Sequence, residues 1–137
     1  MPVDADTILC MTNTIKHKIL WVEDDSLLGK ILSKEIINSG FDLTLAKNSG
    51  EALDAIKQNI PDVIMVDLLL PGGMDGFGIL EQVQSDASLK DVPKVVLSNL
   101  SKPSDIEKAK SLGANKFLIK ADTSLDQIIT ELRNQCA

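Results

Sequence analysis

Four short apolar runs punctuate this chain, and each ends on a polar or charged residue. Ile19-Leu20-Trp21-Val22 leads into Glu23-Asp24-Asp25, and Val63-Ile64-Met65-Val66 into Asp67. Val95-Val96-Leu97 leads into Ser98, and Phe117-Leu118-Ile119 into Lys120. Unbroken apolar runs of this length predict strands buried on both faces, as in a parallel sheet. The polar residues that follow them should then gather on one edge of the sheet, where open α/β folds place their sites.

Between the runs the apolar spacing turns helical. Strand one is expected from Lys18 to Glu23, followed by a helix with Leu28, Ile31, Leu32 and Ile36 inward that stops at Gly40. Strand two is expected over Phe41 to Ala46. A helix opening near Asn48 or Ser49 buries Ala52, Leu53 and Ile56 and ends before Pro61, because a residue ahead of proline is disfavoured in helix. Strand three ends at Asp67, and the loop Pro71-Gly72-Gly73-Met74-Asp75-Gly76 leads to a helix with Phe77, Leu80 and Val83 inward. Pro93 introduces strand four. Ser104 with Glu107 three residues on reads as a capping box opening a helix whose thin apolar face is Ile106, Ala109 and Leu112. Strand five follows Gly113, and Leu125, Ile128, Ile129 and Leu132 line the last helix. Five βα units in a row predict an α/β fold, a doubly wound parallel sheet of five strands with helices on both faces.

Composition narrows the function. A chain of 137 residues is long enough for one domain with a proper core and short for two. A net charge of −6 argues against a nucleic-acid partner bound through a basic patch. The two cysteines, Cys10 and Cys136, lack metal-ligand or redox spacing and read as thiols of an intracellular protein. The first 14 residues have neither a cationic start nor a long apolar segment, so no signal peptide or membrane anchor is expected there. Residues 1–16 read as a disordered extension and 17–137 as the folded domain.

The order and spacing of acidic pair, lone aspartate, hydroxyl and lysine resemble the receiver domain of two-component response regulators, over about Lys18 to Arg133. The resemblance implies a flavodoxin-like strand order of 2-1-3-4-5. It also implies that Asp67 accepts a phosphoryl group from phosphohistidine, with Mg²⁺ held by Asp24, Asp67 and the Leu69 backbone carbonyl, and through water by Glu23. Lys120 would pair with Asp67 and then with a phosphoryl oxygen, Ser98 would donate to the phosphoryl group, and Phe117 would be the rotating aromatic of the switch. The chemistry agrees: an activated carboxylate is a competent nucleophile, phosphoryl transfer needs charge neutralisation and in-line positioning, and Mg²⁺ takes oxygen ligands.

The resemblance further implies a cytoplasmic, stand-alone response regulator that catalyses only its own phosphorylation and dephosphorylation. Its partners would be a sensor histidine kinase or histidine phosphotransfer protein upstream and a protein target downstream. The face around Ala109, Leu112, Phe117 and Leu125 is the expected docking surface and a candidate for a phosphorylation-dependent homodimer. Two other classes compete with this reading. A pseudo-receiver would act as a phosphorylation-independent binding module, against which the intact acidic pair, Asp67, Ser98 and Lys120 all weigh. A Mg²⁺-dependent phosphatase with an aspartyl-phosphate intermediate would need a general acid two residues after the nucleophile, where Leu69 stands.

Several positions depart from the family pattern. Gly72-Gly73 reads as a one-residue insertion that loosens its loop. Ala121 follows Lys120 where the family has a proline joined by a cis bond, so either the bond is trans and the loop shifts, or the site holds strain. Asn99 replaces the usual small residue after the hydroxyl and narrows the approach of the phosphodonor. Leu69 and Leu100 flank the path of the hydrolytic water and tend to exclude it, which predicts a long-lived phosphorylated state. Each site residue also has a plainer reading: Asp67 as a turn cap, Glu23-Asp24 and above all Asp25 as acids at a helix start, Lys120 as a solvated charge, Ser98 as a loop hydroxyl and Phe117 as core.

Overall fold

A computed structural model describes residues 16–136. The chain alternates β1 (Lys18–Val22), α1 (Ser26–Asn38), β2 (Asp42–Ala46), α2 (Ser49–Gln58), β3 (Val63–Val66), α3 (Gly76–Ser85), β4 (Lys94–Ser98), α4 (Pro103–Ser111), β5 (Lys116–Ile119), a 3-10 turn (Lys120–Asp122) and α5 (Leu125–Cys136). The expected extension lies outside the described residues except for Lys16, as does Cys10.

The strands form one parallel sheet in the order β2-β1-β3-β4-β5. Because side chains alternate across a strand, each apolar run is shared between two cores. Leu20, Val22, Ile64, Val66 and Val96 pack with Ala52, Ile56, Ile79, Leu80, Val83 and Ala109 from α2, α3 and α4. Ile19, Trp21, Val63, Met65, Val95 and Leu97 pack on the other face with residues of α1 and α5, including Leu32, Ile36, Ile128 and Leu132. The three central strands are buried on both faces, hence their continuous hydrophobicity. Edge strand β2 alternates instead, with Asp42 and Thr44 outward.

Three details of the sequence reading are corrected. Ile31 is exposed rather than inward; the buried face of α1 is Gly29, Leu32 and Ile36. Ser104 does not cap α4, because Pro103 occupies the first turn and places Ser104 inside the helix, with Lys102 as an N-cap that makes no side-chain bond. A reciprocal capping box opens α5 instead: Gln127 N donates to Ser124 Oγ at 3.1 Å, and Ser124 N donates to Gln127 Oε1 at 2.7 Å. Ala109 is fully buried and cannot belong to a docking surface; of the expected face, Leu112 and Phe117 are half-buried and Leu125 is exposed.

The loop after β3 is tied down despite its extra residue. Gly72 takes φ +91°, which side chains rarely adopt, while Gly76 N donates to the Leu68 carbonyl at 3.1 Å. A Cβ at Gly76 would overlap the Asp67 carbonyl and Leu68 Cα, so only glycine lets α3 begin this close to the end of β3. Asp75 then caps α3 by accepting from Gly78 N.

Neighbouring isoleucines on α1 give a direct test of this packing. Ile36→Ala should cost about 2–5 kcal/mol by opening a cavity, whereas Ile37→Ala should stay within about 0.5 kcal/mol, because Ile36 is 0% and Ile37 52% exposed. Urea unfolding of the two variants measures the difference.

Candidate functional site

The strand order reverses direction between β1 and β3, each of which begins a half of the sheet, and the carboxyl ends of these strands bound a crevice. Glu23 and Asp24 follow β1, and Asp67 follows β3, so the topology brings them to the same edge. Their carboxylate oxygens come within 4.8 Å of one another. Glu23 and Asp67 are buried and Asp24 is exposed. Asp25, the fourth acid of the region, turns away to cap α1, its Oδ1 accepting from the amides of Leu27 and Leu28 at 3.0 and 3.1 Å.

Both oxygens of Asp67 are partnered across the sheet edge. Ser98 Oγ, at the end of β4, donates to Oδ1 at 2.7 Å, and Lys120 Nζ, just past β5, donates to Oδ2 at 2.7 Å. The Leu69 amide also donates to Oδ1 at 3.1 Å. Asp67 therefore caps its own turn, as the plainer reading had it, while meeting the hydroxyl and the lysine. Leu69 consequently sits beside Asp67 with its side chain 56% exposed.

Lys120 Nζ also lies 2.8 Å from Glu23 Oε1. That contact is an ion pair between two largely buried side chains. Glu23 Oε2 accepts from the Asp25 amide at 3.1 Å. Burial has the largest influence on Glu23 and pushes its carboxyl above the ordinary carboxylate range, with Asp67 adding to the push and Lys120 and the Asp25 amide opposing it. Burial alone would lower the Lys120 ammonium, but its bonds to Asp67 and Glu23 outweigh this and hold it above the ordinary lysine value.

One ammonium among three carboxylates leaves two uncompensated negative charges at a partly buried edge. The donor set is entirely hard oxygen, with no imidazole or thiolate, which fits a small divalent cation such as Mg²⁺ and not a softer metal. Glu23, Asp24 and Asp67 are the residues that would hold it.

The remaining sequence candidates fall nearby. Phe117 pairs in register with Val96 and packs, half-buried, against the α2-α3-α4 face of the core. Leu100 is half-buried against the same core, and its amide donates to Ser98 Oγ at 3.3 Å. No peptide among the described residues is cis, so the Lys120–Ala121 bond is trans and the segment takes a single 3-10 turn. Asn99 and Ala121, read from sequence as separate departures, are hydrogen-bonded partners: Ala121 N donates to Asn99 Oδ1 at 3.1 Å. The signal available in the sequence was that each stands one residue after a site residue.

The family model of the response regulator receiver domain matches residues 19–133. Among curated proteins, the chain is 31% identical over 105 residues to "Probable transcriptional regulator ycf27" of Guillardia theta, covering 77% of this chain and 40% of that protein. It is 30% identical over 108 residues to "DNA-binding response regulator MtrA" of Mycobacterium tuberculosis, covering 79% of this chain and 46% of the relative. The chain thus spans less than half the length of these relatives. Among solved structures, the phosphorylated cyanobacterial phytochrome response regulator RcpA superposes with a TM-score of 0.74 at 28% identity, covering 88% of this chain and 91% of that one.

The lysine is what balances the acidic edge, and its removal should be pH-dependent. Lys120→Met leaves Glu23 and Asp67 facing each other, so the folded variant binds a proton that its unfolded chain releases. Stability of the variant then falls as pH rises through the raised carboxylate value. The expected loss relative to the native chain is on the order of 3 kcal/mol at pH 8 and much less at pH 5, measured by urea unfolding without divalent metal.

Proposed function

The chain belongs to the response regulator receiver domain family of two-component signalling, and we propose that within it this protein is a working phosphoacceptor that uses Asp67 and Mg²⁺. The observation that carries the reading is the partnering of both Asp67 oxygens, by Ser98 and by Lys120, beside the acidic pair Glu23-Asp24.

The proposed reaction follows from these positions. A carboxylate oxygen of Asp67 forms a bond to phosphorus as the P–N bond of a phosphohistidine breaks and the imidazole leaves. Lys120 passes from Asp67 to a phosphoryl oxygen, as a point charge on a flexible stem can. Ser98, whose hydroxyl already lies 2.7 Å from the reacting carboxylate, donates to another phosphoryl oxygen. Asp24, Asp67 and the Leu69 carbonyl, with Glu23 acting through water, would hold the Mg²⁺, which would supply charge neutralisation on the phosphoryl oxygens. Movement of Ser98 releases space for Phe117, so that the surface of α4, β5 and α5 changes with phosphorylation.

Release of the phosphoryl group requires water to attack phosphorus and regenerate the Asp67 carboxylate. Leu69 and Leu100 offer that water no polar group, which supports a long-lived phosphorylated form. The proposed upstream partner is a sensor histidine kinase or a histidine phosphotransfer protein. The output is protein contact through the half-buried and exposed apolar residues Leu112, Phe117 and Leu125, including a phosphorylation-dependent homodimer that Lys116→Glu would weaken. A cytoplasmic location accords with the fact that no helix among the described residues is long and apolar enough to cross a membrane.

Incubation with acetyl phosphate and Mg²⁺ should add one phosphoryl mass to the intact protein, with none on Asp67→Asn and none without divalent metal. If neither acetyl phosphate nor a phosphohistidine donor gives an adduct, the pseudo-receiver reading replaces this one. Leu100→Glu should shorten the adduct's lifetime severalfold; an adduct already short-lived in the native chain and unaffected by this change would refute the role given to the leucines.

A further inference from the structure

Asn99 and Ala121 are 22 residues apart and meet through one hydrogen bond, Ala121 N to Asn99 Oδ1. Each residue supplies a half of it that the family's usual residue lacks: a proline at 121 has no N–H, and an alanine or glycine at 99 has no side-chain acceptor. The bond lies just beyond Ser98↔Ile119, the last pair of the β4-β5 ladder, and so extends that pairing by one side-chain rung.

Its neighbours on both strands are the two groups that hold Asp67. Ser98 precedes Asn99 and donates to Asp67 Oδ1, while Lys120 precedes Ala121 and donates to Asp67 Oδ2. The contacts close a ring running from Asp67 through Ser98, Asn99, Ala121 and Lys120 back to Asp67. A second tie steadies the same segment, since Thr123 Oγ1 donates to the Ile119 carbonyl at 2.7 Å.

Building on the phosphoacceptor reading, we infer that Asn99 is a positioning residue that holds the backbone at Ala121 and thereby sets Lys120 against Asp67, so that the loops carrying Ser98 and Lys120 move as one unit. It acts through the Ala121 amide and not on the reacting atoms. Here a removable side-chain bond holds the segment where the resemblance leads one to expect a proline after the lysine. Asn99 is exposed, so its replacement leaves the core intact.

The test compares the native chain with Asn99→Ala and Asn99→Asp, the latter keeping an acceptor oxygen in place. Hydrogen exchange of the Ala121 amide, followed by NMR, reads the bond itself. Phosphoryl uptake from acetyl phosphate with saturating Mg²⁺, in high salt to screen the added aspartate charge, reads its consequence. Asn99→Ala should speed Ala121 exchange and slow uptake, each by about tenfold, the weight of one hydrogen bond, and Asn99→Asp should restore both. Equal Ala121 exchange in native and Asn99→Ala proteins overturns the inference. So does unchanged or faster uptake by Asn99→Ala, which would make Asn99 a mere obstruction to the donor. A native chain that takes up no phosphoryl group fails the phosphoacceptor reading instead, and Ala121 exchange still judges the tie separately.

Discussion

The structure turns on the electrostatics of one sheet edge, where three carboxylates are gathered around a single ammonium. Lys120 touches Asp67 at 2.7 Å and Glu23 at 2.8 Å, with its side chain only 16% exposed, so it bridges the ends of β1, β3 and β5. Without that bridge two buried acids would face each other in a medium that screens them weakly. With it the edge still carries an excess of negative charge, which is the condition for binding a hard cation. The same imbalance that makes the edge costly to fold therefore suits it to receive a hard cation.

The rest of the fold serves to hold that edge still. Central strands buried on both faces fix the registers that align Glu23, Asp67 and Ser98. Gly76 allows α3 to start against the Asp67 carbonyl, and the extra glycine of the loop is absorbed where a Cβ would meet nothing. On the far side of the sheet, buried Lys94 donates to the carbonyls of Lys90 and Val92 at 3.0 Å each. Burial pushes its ammonium down, and these carbonyls offset that cost at the start of β4.

Much of this was legible in the chain. Apolar runs bounded by polar residues mark the strands because a buried parallel strand tolerates no solvent face, and their boundaries were misjudged by a residue at most for β1 and β2. The acidic pair, Asp67, Ser98 and Lys120 could be picked out because each stands at a strand's end, where the backbone leaves the sheet. Helix details were less legible. Ile31 and Ile36 both fit a helical stripe, yet only Ile36 is buried, since periodicity cannot say how wide a face the sheet will cover. Ser104 fits a capping motif, yet Pro103 ahead of it starts the helix and leaves the serine inside α4.

By itself the sequence determined the α/β class, the parallel sheet and the residue types at its carboxyl edge, because these follow from local hydrophobic period and from short-range chain geometry. Only the tertiary structure decided which groups touch. The division of Asp67's oxygens between Ser98 and Lys120, the turning away of Asp25, the burial of Ala109 and Lys94, and the bond between Asn99 and Ala121 all depend on where separate strands end relative to one another. Those distances are set by packing across the whole sheet, and no local pattern in the chain encodes them.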